Sequence, residues 1–166
     1  MLAEFLGTDL SKISNEIDKL TLVIPKGSVI TSKDIFENIG ISKDYNVFEL
    51  RKALGEGNQL KAYQIAKYFA ENPKDNPMVL TTSMVFQYFS QLLQYHGLKD
   101  KKNAASALKI SPYFIKDYEI AARHYPMKKV SAVVDTLRQV DIRSKGVGAS
   151  LGNADLLKEM LIGIFG

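Results

Sequence analysis

The sequence predicts an all-α protein built from about eight helices. Apolar residues recur at spacings of three and four in several separate segments, which is the pattern of a helix with one buried face. No long stretch alternates apolar and polar residues, so no β-sheet is predicted. Short clusters of Gly, Pro, Asn and Ser separate these segments and provide the caps and turns of a helical bundle without internal repeats.

In the first 45 or so residues the sequence predicts two or three short helices. A region of this size would bury too little surface to be stable alone. Asp9 is a suitable N-cap for the first clear helix. The apolar positions of that helix are Leu10, Ile13, Ile17 and Leu20. Residues 22–27 predict an extended segment that ends at a proline and a glycine. Thr31 and Asp34 have the spacing of a capping box, and Gly40 ends the short helix that they open.

A helical hairpin over residues 45–72 follows and marks the predicted domain junction. Asn46 is the predicted N-cap of its first helix, with Glu49 placed to return the hydrogen bond, and Gly55 and Gly57 are expected to end that helix. The predicted apolar positions of the second helix are Leu60, Tyr63, Ile65, Ala66 and Phe69. We therefore divide the chain into a small helical region, residues 1–45, and a helical bundle, residues 46–166.

The bundle contains the longest predicted helix, from about Met78 to His96. Its apolar residues cover so much of its circumference that we expect it to be central. Asn103 and the pair Ser111–Pro112 are predicted to start two further helices. Helices opened by a proline at position 126 and by Asn153 complete the chain.

Composition places the chain among ordinary globular proteins. It has 166 residues, of which 46% are hydrophobic and 24% charged. No apolar run is long enough for a membrane span, and no cysteine is present for a disulfide or a thiolate metal site. We therefore expect a cytoplasmic protein that does not enter a membrane. The formal net charge of +4 permits contact with DNA without requiring it.

The sequence offers no catalytic or cofactor-binding motif. Neither His96 nor His124 has an acidic residue at the spacing of a metal site. The chain has no phosphate-binding loop, because its paired glycines lack the following Lys-Ser or Lys-Thr, and helix ends explain them better. We expect no enzyme activity, no cofactor and no metal.

Two segments suggest contact with DNA or with another protein. Residues 104–121 resemble a helix-turn-helix, although Lys109 stands where that motif has glycine and apolar residues begin the second helix; two short helices meeting at a cap are the simpler explanation. A second feature is a basic set that would form a solvated face, contact phosphate, or pair with a neighbouring subunit. Its members are Lys128, Lys129, Arg138, Arg143 and Lys145.

The order of motifs along the chain resembles a known family. Leu6–Gly7 is followed by the helix Asn15-Glu-Ile-Asp-Lys-Leu20, and Asn46-Val-Phe-Glu-Leu50 is followed by glycines. Near the end stands Asp141-Ile-Arg-Ser-Lys-Gly146. This succession resembles the delta subunits of bacterial DNA polymerase III, which belong to the clamp loader.

The resemblance implies a function in assembly during DNA replication. Residues 1–45 would be the lid region of an AAA+ fold, and residues 46–166 the collar domain through which loader subunits associate. The implied partners are delta prime and gamma/tau, with DNA in the assembled complex; the sliding clamp would be reached only through an N-terminal domain that this chain lacks. The expected contacts with DNA or a subunit are Lys99, Lys101, Lys102, Arg138, Arg143 and Lys145. The alternative function is a DNA-binding regulator that uses residues 104–121.

Overall fold

The computed structural model describes residues 10–31, 34, 35, 38, 45–148 and 151–166. Within these ranges the chain forms eight α-helices, one short 3-10 helix at Pro112–Phe114 and no strand, so the prediction of an all-α fold is confirmed. The α-helices are α1 Leu10–Val23, α2 Val47–Gly55, α3 Gln59–Glu71, α4 Met78–Gly97, α5 Ala104–Leu108, α6 Ile115–His124, α7 Met127–Ser144 and α8 Asn153–Phe165. None of the helices in the described ranges is both long and apolar enough to cross a membrane.

The chain divides into two compact units, residues 1–43 and 44–166. In the first unit Leu20 and Ile35 are buried, whereas Leu10 on the same predicted face is exposed. The predicted capping box is confirmed: the Thr31 amide donates to Asp34 Oδ2 at 2.8 Å, and the Asp34 amide donates to Thr31 Oγ1 at 3.3 Å. The extended segment predicted to begin at residue 22 is partly wrong, because α1 continues to Val23. The predictions for residues 6, 7, 9 and 40 lie outside the described residues.

In the second unit α4 is the central helix, as its apolar circumference predicts. It packs most extensively against α7 and also contacts α2, α5 and α6. Val85, Phe89 and Leu92 of α4 are completely buried. The last helix, α8, packs on α7 and α3, and α2 packs on α3 and α6. Burial of these faces removes apolar surface from water, which is the main favourable term in the folding of such a bundle.

Local capping explains where α2 and α3 begin. Asn46 Oδ1 accepts hydrogen bonds from the amides of Phe48 and Glu49, both at 2.9 Å, which confirms this N-cap. Asn58 Oδ1 accepts from the Lys61 amide at 3.1 Å and starts α3 in the same way. The predicted cap at Asn153 is wrong by one residue, because Gly152 is the N-cap and Asn153 is already helical.

The apolar face predicted for α3 is partly wrong. Ile65, Ala66 and Phe69 are buried, but Leu60 is 71% exposed and Tyr63 is 40% exposed. Ala62, which the pattern did not single out, is completely buried. A small side chain at this position lets α3 approach its neighbours, and the two larger residues remain on the surface.

Gly55 and Gly57, at the end of α2 and just after it, have different functions. Gly57 has a φ of +69°, a left-handed conformation that glycine adopts without strain, so it makes the turn after α2. Gly55 is instead the last helical residue of α2 and is buried. A Cβ atom at Gly55 would collide with the hydroxyl of Tyr88 on α4. Close packing of two helices therefore explains this glycine, and α2 ends at it as the sequence predicts.

Candidate DNA and subunit contact surface

Three of the predicted contact residues lie together in the loop between α4 and α5. Lys99, Lys101 and Lys102 are all exposed. The Lys101 ammonium lies 4.5 Å from the centroid of the Tyr95 ring, a cation–π contact that holds this side chain against the end of α4. The Lys102 amide donates to Asp100 Oδ1 at 2.9 Å, which orders the loop backbone.

The predicted residues near the end of α7 are mostly engaged within the chain. Arg143 donates a short hydrogen bond to Glu159 Oε1 on α8, so that it joins the last two helices. Lys145 forms an ion pair with Asp141 at 2.7 Å. Arg138 is exposed and, among the described residues, has no ion-pair partner. Since two of the three charges are already paired, this end of α7 offers little free positive charge.

The two predicted sets do not form one surface. His96 Nε2 lies 2.8 Å from the carbonyl oxygen of Tyr125, so the end of α4 stands beside the start of α7. With a rise of ~1.5 Å per residue, the 18 residues of α7 carry the chain about 27 Å along the helix axis before Lys145 is reached. The loop set and the α7 set are therefore separate candidates.

Two further lysines follow Lys99, Lys101 and Lys102 in the chain, and the sequence analysis did not single them out as contact residues. Lys109 follows α5 and Lys116 is the second residue of α6, and both are exposed. Six residues separate Lys102 from Lys109, namely Asn103 and the five residues of α5, whose helix length is ~7.5 Å. A count of charges in a window of about twenty residues would have found this concentration, because residues 98–116 contain five lysines and one acidic residue.

Residues 104–121 fold into helix, turn and helix with unusual proportions. The first helix, α5, has only five residues. Lys109 adopts a left-handed conformation with a φ of 54°, at the position where the DNA-binding motif has glycine. Ser111 Oγ then accepts from the Tyr113 amide at 3.4 Å and caps the 3-10 helix. The 3-10 helix before the second helix displays the exposed ring of Tyr113, and the second helix, α6, begins with the half-buried Ile115.

A chain of polar contacts crosses the bundle beneath this surface. Arg51 Nη2 donates to the Tyr118 hydroxyl at 3.2 Å, and that hydroxyl donates to Gln91 Oε1 at 2.6 Å. Gln91 Nε2 donates in turn to the carbonyl oxygen of Leu108 at 3.1 Å. The Arg51 guanidinium also lies 5.0 Å from the centroid of the Tyr88 ring. These contacts join α2, α6, α4 and α5, so their clearest function is structural.

Burial shifts the titration of the groups around this chain. Desolvation raises the pKa of Asp117, and Lys52 and Arg51 oppose that effect. Burial strongly raises the pKa of Tyr88, and that of Tyr125 to about 12. The Tyr125 hydroxyl donates to the carbonyl oxygen of Leu54 at 2.8 Å. These shifts arise from burial within the bundle, and we assign these groups no acid or base function.

Neither histidine contributes to a metal site in the part of the chain that the structure describes. Among those residues no group of three or more His, Cys, Asp or Glu side chains is arranged to hold a metal ion. His96 contacts the Tyr125 carbonyl, as given above, and His124 is exposed beside Gly57. The arrangement can therefore bind through surface charge and apolar contact, while the interior maintains the bundle.

Comparison with known proteins identifies the family. The family model for the DNA polymerase III delta subunit, C-terminal domain, matches residues 44–163. No curated protein and no solved structure matches the chain significantly. The matched range covers well over half of the chain and begins where the second compact unit begins. The chain belongs to the DNA polymerase III delta subunit family, whose C-terminal domain it carries in residues 44–163.

Proposed function

We propose that this chain is an assembly element of the DNA polymerase III clamp loader, the complex that places the sliding clamp on DNA during replication. The observation that carries the proposal is the match to the delta C-terminal domain over residues 44–163. This range nearly coincides with the compact helical unit 44–166, so the match describes a folded domain rather than a short motif. The resemblance in the order of motifs along the chain supports the same function.

In this proposal residues 46–166 are the collar domain and residues 1–45 are the lid region of an AAA+ fold. The division into compact units at residues 43 and 44 supports two separate parts. The collar associates with the other loader subunits, delta prime and gamma/tau, in the cytoplasm. Its part is scaffolding without catalysis, and contact with the sliding clamp is made through a further N-terminal domain of the same kind of subunit.

Exposed apolar side chains support a protein-protein interface on the second unit. Leu60 and Tyr63 project from α3, and Val79, Leu80 and Phe86 are at least 37% exposed on α4. Large apolar and aromatic residues are enriched where proteins associate. We propose that α3 and α4 contribute these side chains to contacts between loader subunits.

Four of the six charged residues predicted from the sequence belong to the proposed contacts, at two separate places. Lys99, Lys101 and Lys102 are exposed beside the end of α4, and Arg138 is exposed on α7. We propose that they contact DNA or a neighbouring subunit in the assembled loader. Arg143 and Lys145 are already paired within the chain, so they contribute mainly by holding the end of α7.

The test is co-elution of the chain with purified delta prime and gamma/tau subunits in size-exclusion chromatography. We expect association, and no ATP hydrolysis by the chain alone. Replacing Leu60 and Tyr63 by serine should weaken association at least several-fold without loss of helical signal, because both side chains are exposed. Val147→Ser is the matched control, since Val147 is 61% exposed outside α3 and α4.

One result would favour the alternative function over this proposal. Absence of association at tens of micromolar, together with tight and sequence-selective binding of duplex DNA, would replace this proposal by the DNA-binding regulator. Charge reversal at residues in 104–121 should then abolish the duplex binding.

A further inference from the structure

We propose that Arg51 binds one carboxylate, supplied by an acidic side chain of a protein partner that docks over α2. The binding group is the outward edge of a guanidinium that the bundle already holds in place. That the partner is another loader subunit rests on the proposed function. The preference of Arg51 for a carboxylate rests on its own contacts, and it can be measured on the chain alone.

Three aromatic side chains fix the Arg51 guanidinium. Its Cζ atom lies 5.0 Å from the ring centroid of Tyr88 on α4 and 5.6 Å from that of Phe48 on α2. Its Nη2 atom donates to the Tyr118 hydroxyl on α6 at 3.2 Å. Tyr118 is completely buried and donates onward to Gln91, so this hydroxyl is a fixed acceptor. The guanidinium is therefore held in one position before any partner binds.

The positive charge of Arg51 has no counter-ion in the part of the chain that the structure describes. Among those residues it forms no ion pair, and one of its five N–H donors is used in a hydrogen bond. Asp117, next to Tyr118 on α6, interacts with Arg51 only at longer range. Because Arg51 is half-buried, its remaining donors are left for water or a partner. Arg143 is different, since Glu159 on α8 neutralises it.

A carboxylate is the anion that suits this arrangement. The planar fork of a guanidinium presents parallel N–H groups that match the two oxygens of a carboxylate. An arginine already held against aromatic rings loses less conformational entropy on binding than a free surface arginine. Its partial removal from water also strengthens its attraction to an opposite charge. Arginines in such positions are frequent among the residues that contribute most to protein association.

The charges near Arg51 favour a protein over a polyanion such as a nucleic acid. Six charged residues, three of each sign, belong to α2, to its C-cap and to the first turn of α6. They are Arg51, Lys52, Lys116, Glu49, Glu56 and Asp117. Their formal charges sum to zero, so this part of the chain has no positive field to attract a polyanion. A protein can instead place a single carboxylate on Arg51 and make apolar contact with the half-buried Phe48.

The first experiment follows the Nε–H signals of the four arginines in the nitrogen-15 labelled chain during titration with sodium acetate. The Arg51→Lys and Arg123→Lys variants assign two of these signals. We expect the Arg51 signal to saturate, with a dissociation constant at least fivefold lower than that of Arg123. Arg123 is the matched control, because it is exposed on α6 and forms no ion pair in the described ranges. Sodium chloride at equal ionic strength separates binding from screening.

Two additions to this titration test the geometry and the class of partner. Tyr118→Phe removes the hydroxyl that orients Arg51 and keeps the arginine itself, so it should raise the acetate dissociation constant of Arg51 at least twofold. An unchanged constant would mean that the fixed position of the guanidinium has no effect on binding, contrary to the proposal. A thymidine oligonucleotide should leave the Arg51 signal in place. Displacement of acetate from Arg51 by that oligonucleotide would overturn the choice of a protein partner.

The second experiment is co-elution with delta prime and gamma/tau. Arg51→Lys keeps the positive charge and lacks the fork, so it should weaken association at least threefold. Arg123→Lys makes the same exchange at the control position and should leave association unchanged. Circular dichroism and thermal unfolding of both variants establish that the helices persist.

These measurements separate the inference from the proposed function. An acetate affinity of Arg51 no higher than that of Arg123 would overturn the inference. Unchanged association of the Arg51→Lys variant, with a parent chain that assembles, would disprove this inference alone. If the parent chain itself did not co-elute, the proposed assembly function would fail, and the acetate titration would still decide whether Arg51 is a carboxylate site.

Discussion

The hydroxyl of Tyr88 occupies the space that a side chain on Gly55 would need. A Cβ atom at Gly55 would overlap with that oxygen, although it would remain 3.4 Å from Cζ of the same ring. In the described part of the chain this hydroxyl is buried without a hydrogen-bond partner. The bundle therefore tolerates an unsatisfied polar atom where Gly55 of α2 packs against α4.

We expect Gly55→Ala to lower the free energy of unfolding by about 1–3 kcal/mol, because overpacking forces two helices apart. Tyr88→Phe should restore much of the loss, since it removes the atom that collides and leaves an ordinary contact. Urea unfolding of both single variants and the double variant measures this coupling. Gly97→Ala is the control, because nothing lies within 4 Å of a Cβ there. Additive effects of the two changes would contradict the explanation.

Three buried tyrosines should respond differently to loss of the hydroxyl. Tyr118→Phe removes the link between Arg51 and Gln91 and should cost about 1–3 kcal/mol, because polar partners are left behind. Tyr125→Phe removes one bond to the Leu54 carbonyl and should cost about 1 kcal/mol. Tyr88→Phe should cost nothing or stabilise. Thermal unfolding gives the order, and a larger loss for Tyr88 than for Tyr118 would be inconsistent with these contacts.

The raised pKa of Asp117 predicts a specific pH dependence. Its folded-state pKa lies above the ordinary value of 3.8 because burial disfavours the carboxylate. The folded state therefore holds a proton more tightly than the unfolded state, and stability falls as pH rises from 3.8 through the folded-state pKa. Asp117→Asn should be more stable than the parent at pH 7, and this advantage should disappear below pH 3.8. Denaturant unfolding at both pH values tests this, with Asp135→Asn as an exposed control on α7.

The contact between Arg143 and Glu159 should matter for the attachment of α8 and little for overall stability. Both side chains are more than a third exposed, at 39% and 34%, so we expect a coupling energy of only ~0.3–1 kcal/mol that decreases with salt. A double-mutant cycle with alanine at both positions measures this energy. The exchanged pair Arg143→Glu and Glu159→Arg should retain association with loader subunits if the arginine acts only within the chain. Loss of association in a folded exchanged variant would show that Arg143 contacts a partner directly.

Features that depend on neighbours in the sequence could be predicted well. The capping box of Thr31 and Asp34 and the cap at Asn46 involve residues two or three apart, so local spacing was sufficient. The central position of α4 followed from its broad apolar surface. The membership of the family followed from the order of short motifs, and the family match over residues 44–163 confirms it.

Features that depend on contacts between distant segments could not be predicted. Leu60 and Tyr63 fit the helical period, but the direction of the buried face of α3 is decided by α2 and α8. Arg143 and Glu159 lie 16 residues apart on different helices, so their pairing was invisible in the sequence. The residues of the candidate contact surface were recognised as charged, whereas only the structure separates paired from unpaired charges.

The hydrogen bond from Gln91 to the Leu108 carbonyl has a consequence for local unfolding. An isolated helix of five residues does not persist in water, so α5 is stable only while its ends remain attached to α4. Its amide protons should therefore exchange with solvent through local opening, faster than those in the middle of α4. Gln91→Ala should accelerate exchange in α5 while leaving exchange at Val85 and Phe89 unchanged. The short helix is ordered by its attachment to the core, and the Gln91 side chain makes part of that attachment.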